Sequence, residues 1–351
     1  MKTVLILLKK QQSSPGNIST LLPIAKGGEQ SFSKYTFVEN VIPALLSWQR
    51  KGLQTTLITL VDREGSSPRP IGAQMATNER GEAVGHIATD CLHDALILEA
   101  KLVMSSKQNK LIRYGKGSPY IDLKLPCGSG LDLYFDQSIE LNQLETMTEL
   151  ASKRKAFTLT INMSEGITTV STLKKGQSNE RSTTDNMIMF RNHFPPLQLL
   201  IAGNGPAVMS MANIAKDVEF KTKICTTEDE LLKAAMLEGY KTLTTDELTN
   251  KPDPFIDEFT AVVLLFHDHE KELPLYKQLL ENSPFYIGAM GSKKTHYQRI
   301  LTLKSLGIKE EEIAKIKGPI GIIPVAKNPS LLALSIISEI MNEAQSKGYI
   351  C

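Results

Sequence analysis

The 351-residue sequence is short of several things at once. It has one tryptophan, and Phe, Trp and Tyr together make up 6% of it. That leaves little from which to build the aromatic platforms on which single-stranded nucleic acid stacks. It has no charge excess, with 40 Lys and Arg against 38 Asp and Glu. So balanced a chain offers neither a nucleic-acid footprint nor a pull toward an anionic membrane. It has no long apolar run. The opening VLILL is only a short apolar stretch, where a secretory core needs about 7–15 apolar residues and a membrane span about 20. A cytoplasmic protein with no membrane span is the expectation. The cysteines are Cys91, Cys127, Cys225 and Cys351, with no CxxC pair and no Cys/His set at zinc spacing. No metal site is therefore expected. Neither a catalytic triad nor a paired-carboxylate site is evident, so no catalytic residue is assigned.

What is present is an ordinary globular composition, 41% hydrophobic and 22% charged, long enough for two domains. Residues 1–34 are rich in Gln, Ser, Gly and Pro and read as an N-terminal extension. Residues 35–190 read as a mixed α+β domain with a connecting segment. FVENVIPALLSWQRKG has helical spacing and stops at Gly52. TTLITLVD is a strand, AQMATNERGEAVGHIA a hairpin, CLHDALILEAKLVMSS a helix, and KLIRYG and LDLYFD strands. Residues 174–188 are polar and read as a mobile loop. After Pro195-Pro196, residues 191–351 alternate apolar strands with helices, which predicts a doubly wound parallel sheet.

Four glycine-bearing segments stand out. REGSSPRPIGAQM follows the first strand and crowds Gly65, Ser66, Ser67, Pro68, Arg69 and Gly72 together. The glycines permit close approach, the prolines stiffen the path, and Arg69 is a candidate anion anchor. PCGSG places Cys127 beside Gly128, Ser129 and Gly130, where a thiol near backbone N–H groups can become a thiolate. Cys91 lies near a helix start, with Asp90 as a candidate cap. IAGNGPAV carries Gly203, Asn204 and Gly205 from a strand into a helix, the geometry that suits an anion. The next strand ends in Cys225-Thr226-Thr227, without the acidic residue usual in a dinucleotide site. NAD(P) therefore stands as a lesser reading, with Glu228 a late acidic partner. FHDHEKE sets His267, Asp268 and His269 at a strand's carboxyl end, as loop-positioning polar residues rather than metal ligands. YIGAMGSKK brings Gly288, Gly291, Ser292 and Lys293 to a strand-to-helix turn. There Lys293, Lys294 and Arg299 oppose the helix dipole and make better sense facing an anion.

Taken in order, these segments with GPIGI and LALSIISEI resemble the XdhC/CoxI family, accessory factors that mature molybdenum hydroxylases such as xanthine dehydrogenase and carbon monoxide dehydrogenase. The resemblance spans about residues 36–136 and 195–345. It implies an N-terminal mixed α+β XdhC domain followed by a C-terminal Rossmann-like doubly wound sheet. It implies a chaperone rather than an enzyme, with an NAD(P)-dependent oxidoreductase or a cofactor-free adaptor protein as the alternative readings. Such a factor binds molybdenum cofactor (molybdopterin), protects it during sulfuration by a cysteine desulfurase, and delivers it to the apo molybdenum hydroxylase, often as a homodimer. The family's glycine loop falls on Gly65-Ser66, Pro68-Arg69 and Gly72-Ala73, its cysteines on Cys91 and Cys127, and its GSR-type turn on Gly291-Ser292-Lys293. The chain departs from the family pattern at Thr89-Asp90, His93, Ser129 and Cys225-Thr226.

Overall fold

A computed structural model describes residues 38–87, 90–118, 128–174, 182–251 and 253–350. It begins with α1 (Ile42–Arg50), which turns Ile42, Leu45, Leu46 and Trp48 inward and ends at Gly52, whose φ of 76° closes the helix. There follow β1 (Thr55–Glu64), β2 (Gln74–Asn78), β3 (Ala83–Gly85), α2 (Asp90–Ser106), β4 (Lys110–Gly115) and β5 (Gly130–Asp136). The strands form an antiparallel sheet in the order β3-β2-β1-β5-β4. α1 covers one face, packing on Leu57, Val61 and Tyr134, and α2 covers the other, packing on Ile58, Leu60 and Leu133. Burial on both faces explains why β1 is buried continuously from Thr55 to Val61 instead of alternating.

Next come α3 (Leu141–Ser152), β6 (Phe157–Asn162), β7 (Ile167–Thr172), β8 (Ser182–Asp185) and β9 (Ile188–His193). They add a second antiparallel sheet, ordered β7-β6-β9-β8. The expectation of a loop over 174–188 fails at its end. Residues 182–185 pair with 188–191, joined by a turn in which Asn186 and Met187 have φ of 48° and 65°. The polar STTD hides an edge strand, where threonine's β-branch favours extension and apolar residues are not needed.

The third sheet contains β10 (Gln198–Gly203), α4 (Pro206–Asp217), β11 (Lys221–Thr226), α5 (Asp229–Leu237), β12 (Lys241–Thr244), α6 (Thr245–Asn250) and β13 (Thr260–Leu265). A 3-10 turn at His269–Glu272 leads to α7 (Leu273–Glu281), β14 (Tyr286–Ala289), α8 (Lys293–Ser305), α9 (Glu310–Ile313), β15 (Ile316–Lys317) and α10 (Pro329–Ser346). All six strands are parallel, in the order β12-β11-β10-β13-β14-β15. This is the doubly wound Rossmann order, which reverses between β10 and β13. β10 and β13 are buried at every position. One face packs on α4 and α10, the other on α7 and α8.

The seam between the α+β part and the Rossmann part lies at the amino ends of the parallel strands. Arg154 reaches from the end of α3 to Asp257, at 2.5 and 3.1 Å, and to the Pro196 carbonyl at 2.9 Å. Phe194, Phe259, Phe285 and Tyr349 form a cluster of tilted and edge-on ring contacts there. The carboxyl ends of those strands therefore lie away from the seam. α10 closes the fold. Its N-terminus is capped by the Asn328 side chain, which accepts from the N–H groups of Ser330 and Leu331. Asn328→Ala is expected to cost about 1 kcal/mol, seen as a lower urea midpoint with an unchanged slope.

Candidate functional site

The topology brings the predicted residues together as two groups. The first lies at one end of the antiparallel sheet, where β1, β3 and β4 end and β2 and β5 begin. Gly65, with φ of 83°, lies where an added Cβ would touch Ser129 Cβ at 3.6 Å, and Glu64 pairs with Gly130. At Gly130 a Cβ would meet Arg113 Nη2 at 2.6 Å and the Lys116 carbonyl at 2.8 Å, so only glycine fits. The loop 65–70 and the 128–130 turn therefore meet. Gly128 is exposed with φ of 64°. Cys127 lies outside the described residues. Cys91 is on the first turn of α2, at the same sheet end.

Charges surround this group. Arg113 bridges Glu64 at 2.5 Å and Asp132 at 2.9 Å, and Lys116 holds Glu64 at 2.6 Å. Burial pushes the Asp132 carboxyl up against the pull of Arg113. The expected anion anchor, Arg69, points elsewhere. Its guanidinium lies 2.5 Å from Glu39, which also holds Arg191 at 3.3 Å. Arg191 is 3% exposed and donates to the Gly72 carbonyl at 2.8 Å. Arg69 and Gly72 thus tie the glycine loop to the segment before α1 and to β9. Ser67 Oγ accepts from the Arg69 N–H, and Ser66 and Pro68 are exposed.

The second group lies at the carboxyl ends of β10, β13 and β14, the position at which doubly wound sheets bind ligands. Gly203 is a packing residue: its Cβ would fall 2.7 Å from the backbone and side chain of Leu265 on β13. At Gly205, φ 80°, a Cβ would meet nothing within 4 Å. The Asn204 carboxamide bonds Thr226 and Thr227, fixing the turn to the end of β11. The Gly205 N–H donates to the Glu228 carboxylate at 3.1 Å. The chain's own anion thus sits on the donor that a pyrophosphate would use.

At β13, His267 and Asp268 are exposed, and Asp268 accepts from Glu270 N–H to start the 3-10 turn. His269 turns inward onto a buried cluster that the sequence does not announce. Glu272 and Arg299 are each 1% exposed by side chain and lie 2.7 Å apart. Burial pushes the Glu272 carboxyl up to about 7 although Arg299 opposes it. Arg299 also donates to the Met290 carbonyl at 2.8 Å and contacts His296 Nδ1 at 3.2 Å and His269 Nδ1 at 3.4 Å. The expectation that Arg299 faces an external anion fails: its anion is Glu272, inside the protein. The neighbouring Lys293 and Lys294 are exposed, and Ser292 caps α8 by accepting from Thr295 N–H. Gly291, φ 144°, clears Thr295 and the His269 ring. Gly288 is buried against Tyr286 and Ile320. His296 packs where a Cβ on Gly318 would stand, so the GPIGI segment joins the same cluster. Glu272 in HEKE looks like solvated charge, and nothing local foretells its burial.

Residues 48–115 match the XdhC and CoxI family, and residues 199–340 match the XdhC Rossmann domain. The molybdenum cofactor insertion chaperone PaoD of Escherichia coli (strain K12) is 31% identical over 307 residues, 87% of this chain and 87% of that protein. The chain belongs to the XdhC and CoxI family. A second relative, from Bacillus subtilis (strain 168) and described as a probable xanthine dehydrogenase component, is 23% identical over 86% of this chain and 96% of its own length. A crystal structure from Bacillus halodurans, described as a xanthine dehydrogenase, superposes with a TM-score of 0.66 at 18% identity, covering 87% of this chain and 96% of that one. It shares the fold. The family's glycine loop and glycine-serine turn therefore sit at two separate strand ends of this XdhC protein. No helix among the described residues is long and apolar enough to cross a membrane.

Proposed function

We propose that this chain is a molybdenum cofactor insertion chaperone. It binds the cofactor, shields it during sulfuration by a cysteine desulfurase, and delivers it to an apo molybdenum hydroxylase of the xanthine dehydrogenase type, acting as a homodimer. The observation that carries this reading is the 31% identity to PaoD across 87% of both chains. The cofactor supplies its redox-active metal to the client enzyme; the chaperone holds and releases it.

The residues at the carboxyl ends of β13 and β14 fit an anionic, phosphate-bearing group. Gly291 packs closely on Thr295 there, Lys293 and Lys294 are exposed beside it, and His269 and His296 are half-buried rings close by. Gly203, Asn204, Gly205, His267, Asp268, Gly288 and Ser292 frame the same crest. Gly65, Ser66, Ser67, Pro68, Arg69, Gly72, Cys91, Gly128 and Gly130 form a second contact region, with Arg69 and Gly72 shaping the loop from behind. Among the described residues no group of three or more His, Cys, Asp or Glu could hold a metal ion. The cofactor's grip is assigned to hydrogen-bond donors and cations meeting its phosphate and pterin.

An NAD(P) role finds less support. Glu228 places a carboxylate on the Gly205 N–H, where it repels pyrophosphate, and Thr226-Thr227 end β11. Anaerobic loading with molybdenum cofactor tests the proposal. Bound molybdenum and fluorescent pterin should co-elute with the protein, while calorimetry with millimolar NADH should give no heat. Absence of both molybdenum and pterin would refute the carrier role.

A further inference from the structure

Arg299 offers both ends of its guanidinium fork to imidazoles. Nη1 lies 3.2 Å from His296 Nδ1 and Nη2 lies 3.4 Å from His269 Nδ1. A guanidinium has hydrogens only and cannot accept, so an Nδ1 bonded to it must present its lone pair. In a neutral imidazole the proton then sits on Nε2. Both rings are driven toward the neutral form, since burial and the Arg299 charge lower their pKa values. His269 Nδ1 is also 3.5 Å from Glu272 Oε1. That contact lacks hydrogen-bond geometry, whereas the contact with the fork has it, which leaves the imidazole as acceptor from Arg299. Neither Nε2 has a partner among the described residues, and both rings are half-exposed at the crest.

We propose that Arg299 is a positioning residue that fixes His269 and His296 as Nε2–H donors, and that this pair binds a phosphate oxygen of the ligand held at the β13 and β14 ends. The ligand assignment rests on the cofactor-carrier reading; the tautomer assignment does not. The arrangement explains three features together. A buried Arg–Glu pair costs desolvation and is weak evidence of stability in itself, yet here it anchors the loops after β13 and β14 through His269 and the Met290 carbonyl. Neutral donors hold an anion without the permanence of an ion pair, as suits a carrier. Lys293 and Lys294, set against the α8 dipole, gain an anion to face.

The test uses the full-length protein labelled with 15N-histidine. Long-range 1H–15N spectra at pH 7.5 should show His269 and His296 as Nε2–H tautomers. Adding inorganic phosphate should shift both Nε2–H signals, and Arg299→Lys, which lacks the fork, should mix the tautomers. In anaerobic loading, His269→Ala and His296→Ala should each weaken cofactor retention about tenfold, the worth of one hydrogen bond to a charged group. His269→Gln and His296→Gln, whose amide replaces the Nε2 donor, should retain cofactor and so separate donor loss from misfolding. Imidazolium or Nδ1–H rings in the wild type overturn the proposal, as does retention unchanged in both alanine variants. Phosphate shifts as expected with no cofactor retained by the wild type would overturn the carrier reading and the cofactor assignment while sustaining the tautomers.

Discussion

At pH 8, where Glu272 is ionised, Glu272→Ala is expected to destabilise the Rossmann part by about 3–5 kcal/mol, because it leaves Arg299 charged, buried and without its counter-ion. Few single substitutions reach that size, and those that do have a named cause. Here the cause is that both side chains are 1% exposed, so neither can turn to water. Arg299 would keep the Met290 carbonyl, a neutral acceptor that cannot balance the charge. Replacing the pair together, Glu272→Leu with Arg299→Met, should recover most of the loss, since well-packed apolar groups often match a buried ion pair. Urea unfolding of the two variants checks this. A Glu272→Ala loss below about 1 kcal/mol would mean that the pair holds the loops without holding the fold.

The same carboxyl gives stability a pH dependence whose sign is fixed. Burial raises the folded-state pKa of Glu272 from 4.5 to about 7. Between those values the folded protein keeps a proton that the unfolded chain has released, so this group's contribution falls as pH rises from about 4.5 to 7. His269 and His296 act oppositely. Their folded-state pKa values are lowered, so the folded protein holds fewer protons and their contribution rises with pH up to the ordinary histidine range. The wild-type curve mixes the two. The difference between wild type and Glu272→Gln isolates the carboxyl and should shrink steadily over that window.

Periodicity and turn chemistry make most of the architecture legible. The alternation of strands and helices after Pro196 identifies the parallel sheet, because strands buried on both faces must be continuously apolar. The glycine segments lie at the strand ends proposed to face the ligand. Three things stay hidden, each for a physical reason. β8 is polar because an edge strand needs no apolar face. Arg69 reads as an anion anchor, yet Glu39, 30 residues earlier, takes its guanidinium. Glu272 and Arg299 meet across 27 residues through tertiary packing alone, which no local pattern encodes. Cys225, conspicuous where a dinucleotide site would carry an acidic residue, is buried at the end of β11. Burial pushes its thiol up to about 12, making it an inert packing residue.

Gly203 and Gly205 look alike in IAGNGPAV, and their alanine variants should fail in different ways. At Gly203 a methyl would stand 2.7 Å from the Leu265 carbonyl carbon, oxygen and Cβ. β10 and β13 are paired along six registered positions and are buried throughout, so neither can yield locally. Gly203→Ala should therefore cost about 3 kcal/mol or more, the upper end for an overpacked core, and lower the melting point by roughly 2–4 °C per kcal/mol. At Gly205 the methyl meets open space, and the penalty is the backbone alone, φ 80° with ψ −175°, a region essentially confined to glycine that costs about 1–3 kcal/mol. Its Cβ would instead face the open space at the carboxyl end of β10. Thermal melts and cofactor retention measured on both variants separate the roles. Gly203→Ala should lose stability first and ligand only as a consequence. Gly205→Ala should stay folded and lose ligand if the β10 turn takes part in binding. A Gly205→Ala variant that loads fully would confine the site to the β13 and β14 ends, where His269, His296 and the paired lysines stand.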